Sequence, residues 1–293
     1  MTGAPHMSVI VVAYNAARTI RACLQALQPQ LGRDCELIVV DSSDDGTAGI
    51  VAQEFPRAVL VRSERRLAPG AARNRGLLAA RGDVIAFVDS DCVAGPAWLA
   101  TLRGAHDRLP AAAIGGAIEL APPSRAIAWG AYLCEFSSWM PIGPRRTVRD
   151  IPTCNLSYKR WALERFGPFR ESGYSSDTAL NWRLAVAGHA PLFLPELRVA
   201  HASLTHLGRF LHKQLMHGTA FARMRCAEHA LGRAARAGLG GGCLILPAIL
   251  LGRIGRRVAR ASAWAPALRS LPVTVAGVMA WSCGEAIGYA RGR

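Results

Sequence analysis

Along the first ninety residues, unbroken apolar runs alternate with stretches in which apolar residues return every three or four positions. Ser8–Ala13 (SVIVVA), Glu36–Val40 (ELIVV), Val59–Arg62 and Val84–Val88 (VIAFV) are runs of the first kind. Ala16–Leu27, with Ile20, Leu24 and Leu27 on one face, Ala48–Glu54 and Ala68–Ala80 are of the second. A strand that is apolar throughout is buried on both faces, the habit of a parallel sheet covered by helices. The alternation therefore predicts βαβ units and an α/β fold with a mainly parallel sheet. Further strands are expected at Ala113–Ile118 and Leu192–Leu194, and a helix from Thr178 to Ala187 that Gly188 stops. There is no internal repeat and no low-complexity linker.

The last eighty residues follow another pattern. Leu207–Arg225 is basic and amphipathic, with Leu207, Phe210, Leu211 and Leu215 on one face and Arg209, Lys213, Arg223 and Arg225 around it. Two apolar stretches follow, Leu239–Leu251 and Leu271–Ala290, bracketing Arg253, Arg256, Arg257 and Arg260. Pro247 breaks the first and Glu285 interrupts the second, so neither supplies the ~20 clean apolar residues of a membrane span. A helical subdomain packed on the sheet is one reading. Membrane attachment through an interfacial helix or shallow hairpin, with arginines on anionic headgroups, is the favoured one. The expected division is an α/β domain over 7–218 and a helical, partly apolar membrane-associating region over 219–293.

Charge sharpens that picture. The formal net charge is +15, and from His201 onward thirteen Arg and Lys face only Glu228 and Glu285. Such an excess calls for an anionic partner. It alternates with apolar segments rather than with stacking aromatics, which argues against nucleic acid and for an anionic membrane surface. The eight cysteines show neither close pairing nor zinc spacing, and read as buried cytosolic thiols. Met1–Met7 lacks a secretory signature, so the cytoplasmic face of the cell membrane is the expected location, peripheral or shallowly integral.

The chemistry starts where the strand at 84–88 stops, on Asp89-Ser90-Asp91. Open α/β sheets bind ligands at the carboxyl ends of their strands. Two neighbouring carboxylates there are offset by an oxygen-liking divalent cation, which takes further oxygens from a substrate phosphate. Three other segments fit the same task. The first strand ends in Val12-Ala13-Tyr14-Asn15, and the second opens Asp41-Ser42-Ser43-Asp44-Asp45-Gly46-Thr47. Pro69-Gly70-Ala71-Ala72-Arg73-Asn74-Arg75-Gly76 precedes the Asp89 strand, and Ser176-Asp177-Thr178-Ala179-Leu180-Asn181-Trp182-Arg183-Leu184 lies downstream.

In order and spacing these segments resemble the family 2 glycosyltransferases, whose catalytic domain is the GT-A fold, over roughly Ser8 to Gly218. The resemblance implies an inverting, metal-dependent transfer of sugar from a nucleotide-diphosphosugar, a UDP- or GDP-sugar, to a hydroxyl of a lipid-linked or glycan acceptor. It implies that Asp41, with Ala13 and Tyr14, receives the nucleotide base, and that Arg73 stands beside the diphosphate. It makes Asp89 and Asp91 the pair that holds Mg²⁺ or Mn²⁺, with Asp89 and Ser90 also reaching the nucleotide. Asp177 corresponds to the catalytic base, and its position also suits an N-cap of the helix beginning at Thr178. The family usually carries Glu before that Asp; here Ser176 replaces it, which puts acceptor positioning in question. Some relatives add a histidine to the metal, followed by a basic segment ending in an aromatic-Gly pair. His201 is the better-placed candidate, ahead of His206, and His217-Gly218 stands where the aromatic-Gly pair would be. Trp139, Trp161 and Trp182 are the aromatics available to stack on a sugar, Trp182 more as core. The alternatives are a sugar nucleotidyltransferase, for which Val9–Ala17 lacks the Gly-rich basic signature, and a catalytically impaired sugar-nucleotide-binding protein, suggested only by Ser176.

Overall fold

The computed structural model describes residues 6–122, 124–171 and 173–292. Two compact units emerge, one of Met1–Glu119 with Gly143–His201, the other of Leu120–Ile142 with Ala202–Arg293. The first unit opens β1 (Met7–Ala13), α1 (Ile20–Leu27), β2 (Cys35–Asp41), α2 (Thr47–Glu54), β3 (Val59–Arg62), α3 (Pro69–Ala79) and β4 (Val84–Asp89). β5 (Cys92–Ala94), α4 (Trp98–Arg108) and β6 (Ala113–Leu120) follow, and α5 (Ala126–Phe136) falls in the second unit. The chain then returns with β7 (Arg146–Thr147), β8 (Asn155–Lys159), α6 (Arg160–Phe166), α7 (Ser176–Val186) and β9 (Leu192–His201).

The strands form one sheet in the order β3-β2-β1-β4-β8-β6-β9-β5, with β7 on β9. Its first four strands are parallel, as the continuous apolar runs require. Val9, Ile10 and Val11 on β1, Ile38 and Val39 on β2, and Ile85 and Ala86 on β4 are fully buried. Successive side chains point to opposite faces, so both faces of this half are covered. α3 lies close on it because Gly76 has no side chain: a Cβ there would stand 2.6 Å from Ile10 Cγ2.

Beyond β4 the sheet turns antiparallel, through β4–β8, β6–β8, β7–β9 and β5–β9. β8 reads NLSYK, hardly a buried strand by composition. Its polar side chains are satisfied instead by one another's neighbours. Asn155 Nδ2 donates to the carbonyls of Ala117 and Leu197, both at 2.9 Å, and Trp98 Nε1 donates to its Oδ1 at 2.8 Å. Ser157 donates to Ile114 at 2.8 Å, and the Tyr158 hydroxyl to Asn181 Oδ1 at 2.8 Å. With every donor and acceptor engaged, a polar strand can occupy the middle of a sheet.

The second unit adds α8 (Leu207–Glu228), α9 (Arg233–Gly242), α10 (Leu246–Arg260), α11 (Trp264–Arg269) and α12 (Leu271–Arg291) to α5. α8 is continuous, so the boundary expected at 218 falls inside a helix, and His217-Gly218 lies within it rather than at a terminus, with Gly218 buried. α8 and α12 cross at backbone distance. A Cβ on Gly218 would lie 2.2 Å from the Trp281 carbonyl oxygen, and one on Gly284 2.2 Å from that of Leu215. The stretch read as Leu239–Leu251 is two helices bent by 59°. The break falls at 243–245, before Pro247, which takes a first-turn position in α10 where its missing N–H costs nothing. α12, with 21 residues, is long and apolar enough to cross a membrane despite Glu285, although its Gly277, Gly284 and Gly288 are buried within the unit. The cysteines of the whole chain are free thiols; Cys23 and Cys243 are buried and Cys35 half-buried.

Candidate active site

A cleft of about 190 Å³ opens where β1 and β4 end, lined by Val12, Ala13, Tyr14, Ser42, Leu67, Pro69, Ala72, Arg73, Asp89, Ser90 and Asp91. Ala13, Tyr14, Arg73, Asp89, Ser90 and Asp91 thus meet in one place. Tyr14 remains 42% exposed, with the Arg66 guanidinium 4.4 Å above its ring. Asp41 stands behind this wall, fully buried, and its carboxylate already accepts from Arg62 Nη1 and the Ser43 hydroxyl. Arg62 is there because the parallel register sets it opposite Asp41.

The remaining acids of the 41–47 loop stitch loops together. Asp45 accepts from the Ala17 N–H at 3.0 Å and the Thr47 N–H at 3.1 Å, and the Asn15 N–H donates to the Ser43 hydroxyl at 2.8 Å. Those bonds hold Asn15 in a left-handed backbone conformation (φ 51°), which asparagine tolerates better than most residues.

Arg73 is buried, and its two ends bridge the site. Nη2 lies 3.4 Å from Asp89 Oδ1, and Nη1 donates to the Ser176 hydroxyl at 3.4 Å, while its Nε has no hydrogen-bond partner among the described residues. A guanidinium with an unused buried donor is prepared for another anion. α3 approaches this closely because Gly70 is a glycine: a Cβ would meet the Arg170 carbonyl oxygen at 1.9 Å and Ser176 Cβ at 3.1 Å. Burial raises the Asp89 carboxyl above the usual carboxylate range; Arg73 opposes the shift and Asp91 adds to it.

Asp91 faces a different partner. β5 pairs antiparallel with β9, Cys92 opposite His201, and this register sets His201 Nε2 3.4 Å from Asp91 Oδ2. Ligand atoms of Asp91, Cys92 and His201 lie within 4.8 Å of one another. Burial pushes the Cys92 thiol well above its ordinary range and so keeps it protonated, a poor ligand. The useful donors are one carboxylate oxygen and one imidazole nitrogen, which fit a Mg²⁺- or Mn²⁺-type cation completed by substrate oxygens. Asp89, turned to Arg73, lies outside that group. His206 is exposed, and its Nδ1 lies 3.3 Å from the Thr205 hydroxyl.

Asp177 lies in the first turn of α7. The N-cap is Ser175, in a left-handed conformation (φ 64°), so the capping role expected for Asp177 is not the one it fills. Its Oδ2 accepts from the Thr153 N–H and hydroxyl, both at 3.2 Å. Asp150 is the acid that sequence reading missed. Oδ2 accepts from the Thr178 hydroxyl at 2.9 Å and Oδ1 from Asn181 Nδ2 at 2.8 Å. Although its side chain keeps some exposure, surrounding protein and then the charge of Asp177 push its carboxyl up to about 7. Trp182 is buried under Arg149, with the guanidinium 4.3 Å over the ring, and belongs to the core. Trp161 follows Lys159, which pairs with Val84 at the far end of β4 from Asp89, so it does not reach the cleft.

A model of the family described as glycosyl transferase family 2 matches residues 8–170. The chain is 31% identical over 228 residues to glycosyltransferase AglE of Haloferax volcanii, covering 73% of this chain and 72% of that protein. It is 28% identical over 280 residues to pre-mycofactocin glycosyltransferase of Mycobacterium tuberculosis, covering 87% of this chain but 57% of that longer protein. Among solved structures, a mannosyltransferase of Pyrobaculum calidifontis in complex with GDP-Man and Mn²⁺ shares the fold. Its TM-score is 0.64 at 21% identity, covering 97% of this chain and 88% of that one.

Proposed function

Since the chain belongs to glycosyltransferase family 2 and is a glycosyltransferase of the GT-A fold, we propose that it is inverting and metal-dependent, and that it acts at an anionic membrane surface. The observation that carries the metal part is the β5–β9 register, which brings a buried imidazole to Asp91 at the mouth of the cleft. Asp91 and His201 hold the cation in this reading, with oxygens of the donor diphosphate. A divalent cation bound there supplies neutralisation of negative charge on the leaving diphosphate.

The chain's own residues divide the remaining work. Ala13, Tyr14 and Ser42 form the wall that receives the nucleotide, with Asp41 held rigid behind it by Arg62. Asp89 and Ser90 face the ribose side, and Arg73 offers its unused donor to phosphate oxygen. Asp177 takes the proton of the acceptor hydroxyl as that oxygen bonds the anomeric carbon and the carbon–diphosphate bond breaks on the opposite face. Thr153 holds one oxygen of Asp177 in place for this step. Ser176 replaces the usual acid without leaving Arg73 unattended, because its hydroxyl accepts from the guanidinium. That contact weighs against a merely sugar-nucleotide-binding protein.

The membrane part rests on the second unit. Leu244, Ile245, Trp264 and Leu268 are each more than half exposed, and Arg253, Arg256 and Arg260 lie between them in sequence. Apolar side chains interspersed with arginines suit the headgroup region of an anionic leaflet, and a lipid-linked acceptor with it. The fold of the donor site is tested by titrating UDP and GDP into the protein with and without Mn²⁺. Asp91→Asn should abolish the metal-dependent part of binding, since an amide is a poor ligand for a hard cation. Undiminished Mn²⁺-dependent binding in that variant removes Asp91 from the site.

A further inference from the structure

A cavity of about 410 Å³ lies within the second unit, between α9 and α12. Arg233 and Arg236 form one wall, and Ala237, Gly240, Ala286, Tyr289 and Ala290 the rest. Three independent features of this cavity ask for an anion. Arg236 Nε is buried without a hydrogen-bond partner among the described residues, an arrangement that costs free energy until an acceptor arrives. Both arginines stand in the first turn of α9, whose N-cap is Gly232 and which has neither a side-chain cap nor an acidic residue there. A helix N-terminus favours negative charge, so two cations at this end are against the helix dipole in the ligand-free chain. Among the described residues no carboxylate lines the cavity. Glu285, the nearest acid on α12, is engaged by Trp281 Nε1 and the Tyr289 hydroxyl, and that hydroxyl in turn accepts from Arg225 at 3.1 Å.

The lining also shows what the anion is attached to. Behind the arginines, Tyr289 packs with Ala222, Cys226 and Cys243, and Leu239, Leu246 and Ala286 close against them. One edge is therefore cationic and the floor apolar. From the same helix the chain runs on to Leu244 and Ile245, 87% and 64% exposed. A free phosphate would use only the rim, whereas a phosphate carrying a hydrocarbon chain uses rim and floor together. We propose that this cavity binds the phosphate headgroup of a lipid, with Arg233 and Arg236 on the phosphate oxygens and the start of the chain over Ala286 and Tyr289. The site is separate from the donor cleft. It rests only on the membrane part of the reading above, and adds a defined headgroup site to a diffuse electrostatic surface.

The experiment uses the full chain and a short-chain, water-soluble phosphatidic acid, so that binding to the cavity is measured apart from partitioning onto a bilayer. Saturable binding by calorimetry or thermal shift is expected, weakened roughly fivefold for each arginine removed in Arg233→Gln and Arg236→Gln. Arg33→Gln with Arg57→Gln removes the same charge at exposed positions outside the cavity and should bind as wild type. Ala290→Leu narrows the cavity without touching charge and should also weaken binding. Lipid-free melting of the Arg236→Gln protein should be unchanged or higher, because the substitution relieves repulsion. UDP and GDP binding should be unaltered in all of these proteins, so a failure of the donor site reads out separately. An equal thermal shift with inorganic phosphate alone would overturn the lipid assignment. Equal loss in both arginine pairs, or no binding by wild type, would overturn the site, even if the chain still sediments with anionic vesicles.

Discussion

Asp150 and Asp177 make different use of the same α7 turn. Asp177 is anchored by Thr153 and leaves lone pairs for an incoming hydroxyl, so Asp177→Asn should leave nucleotide affinity near wild type and cut turnover by roughly 10²–10⁴. Steady-state kinetics beside a binding titration check this, and equal loss of both would make Asp177 a structural residue. Asp150 holds a proton where an ordinary carboxyl does not. Its value rises from 3.8 to about 7 on folding, so the stability it contributes is fully present below pH 4, falls as the pH rises towards 7 and is level above. Asp150→Asn cannot titrate. Denaturation of the two proteins at several pH values should show the wild type losing stability relative to the variant across that window; parallel curves would count against a proton-holding Asp150. Of the residues that sequence reading assembled, Tyr14, Asp89 and Asp91 stand at the ends of the neighbouring parallel strands β1 and β4, and Arg73 lies on α3, the helix that leads into β4, so local order already sets them together. Arg62, Thr153 and Asp150 escaped because their partners are fixed by pairing across the sheet and by α7, which no local pattern announces.

At the scale of elements, the legible strands are those buried on both faces, because continuous apolarity admits few other readings. β8 was illegible for the opposite reason: Asn155, Ser157 and Tyr158 are buried by partners supplied from β6, α7, β9 and α4. α5 was missed as well, since the consecutive residues Gly130, Ala131, Tyr132 and Leu133 are all buried, so that burial goes round the helix and leaves no amphipathic period. The glycines of α8 and α12 give a sharp contrast to test. Gly284→Leu drives a side chain into the backbone of Leu215 and should cost about 1–3 kcal/mol or more in chemical denaturation. Gly238, on α9, meets nothing within 4 Å, and Gly238→Ala should instead stabilise by roughly 0.5–1 kcal/mol through helix propensity. Similar effects at both positions would mean that α8 and α12 do not cross at backbone distance.

Over the whole molecule, the excess of thirteen basic residues against two acids after His201 belongs almost entirely to the second unit, and the first unit carries the chemistry. Charge composition therefore bears on the proposed membrane attachment more than on the reaction. Removing residues 239–293 is no clean test of attachment, because it takes away α12, on which Phe210 and Cys134 pack around Gly277. Such a truncated chain should lose cooperative unfolding of the second unit. Point changes are the better instrument. Leu244→Ser with Ile245→Ser should weaken sedimentation with anionic vesicles while melting behaviour stays near wild type, both side chains being exposed. The antiparallel partnership of Cys92 with His201 has a last consequence, for the order of events during synthesis. The cleft walls belong to β1 and β4, joined through nearby segments, but the imidazole arrives from 201 − 92 = 109 positions further along the chain. Closing so long a loop is slow relative to the local βαβ steps. With the cation held as proposed, a nascent chain thus forms the cleft walls well before it can retain a metal, and metal-dependent affinity would mark the finished molecule rather than its first-formed half.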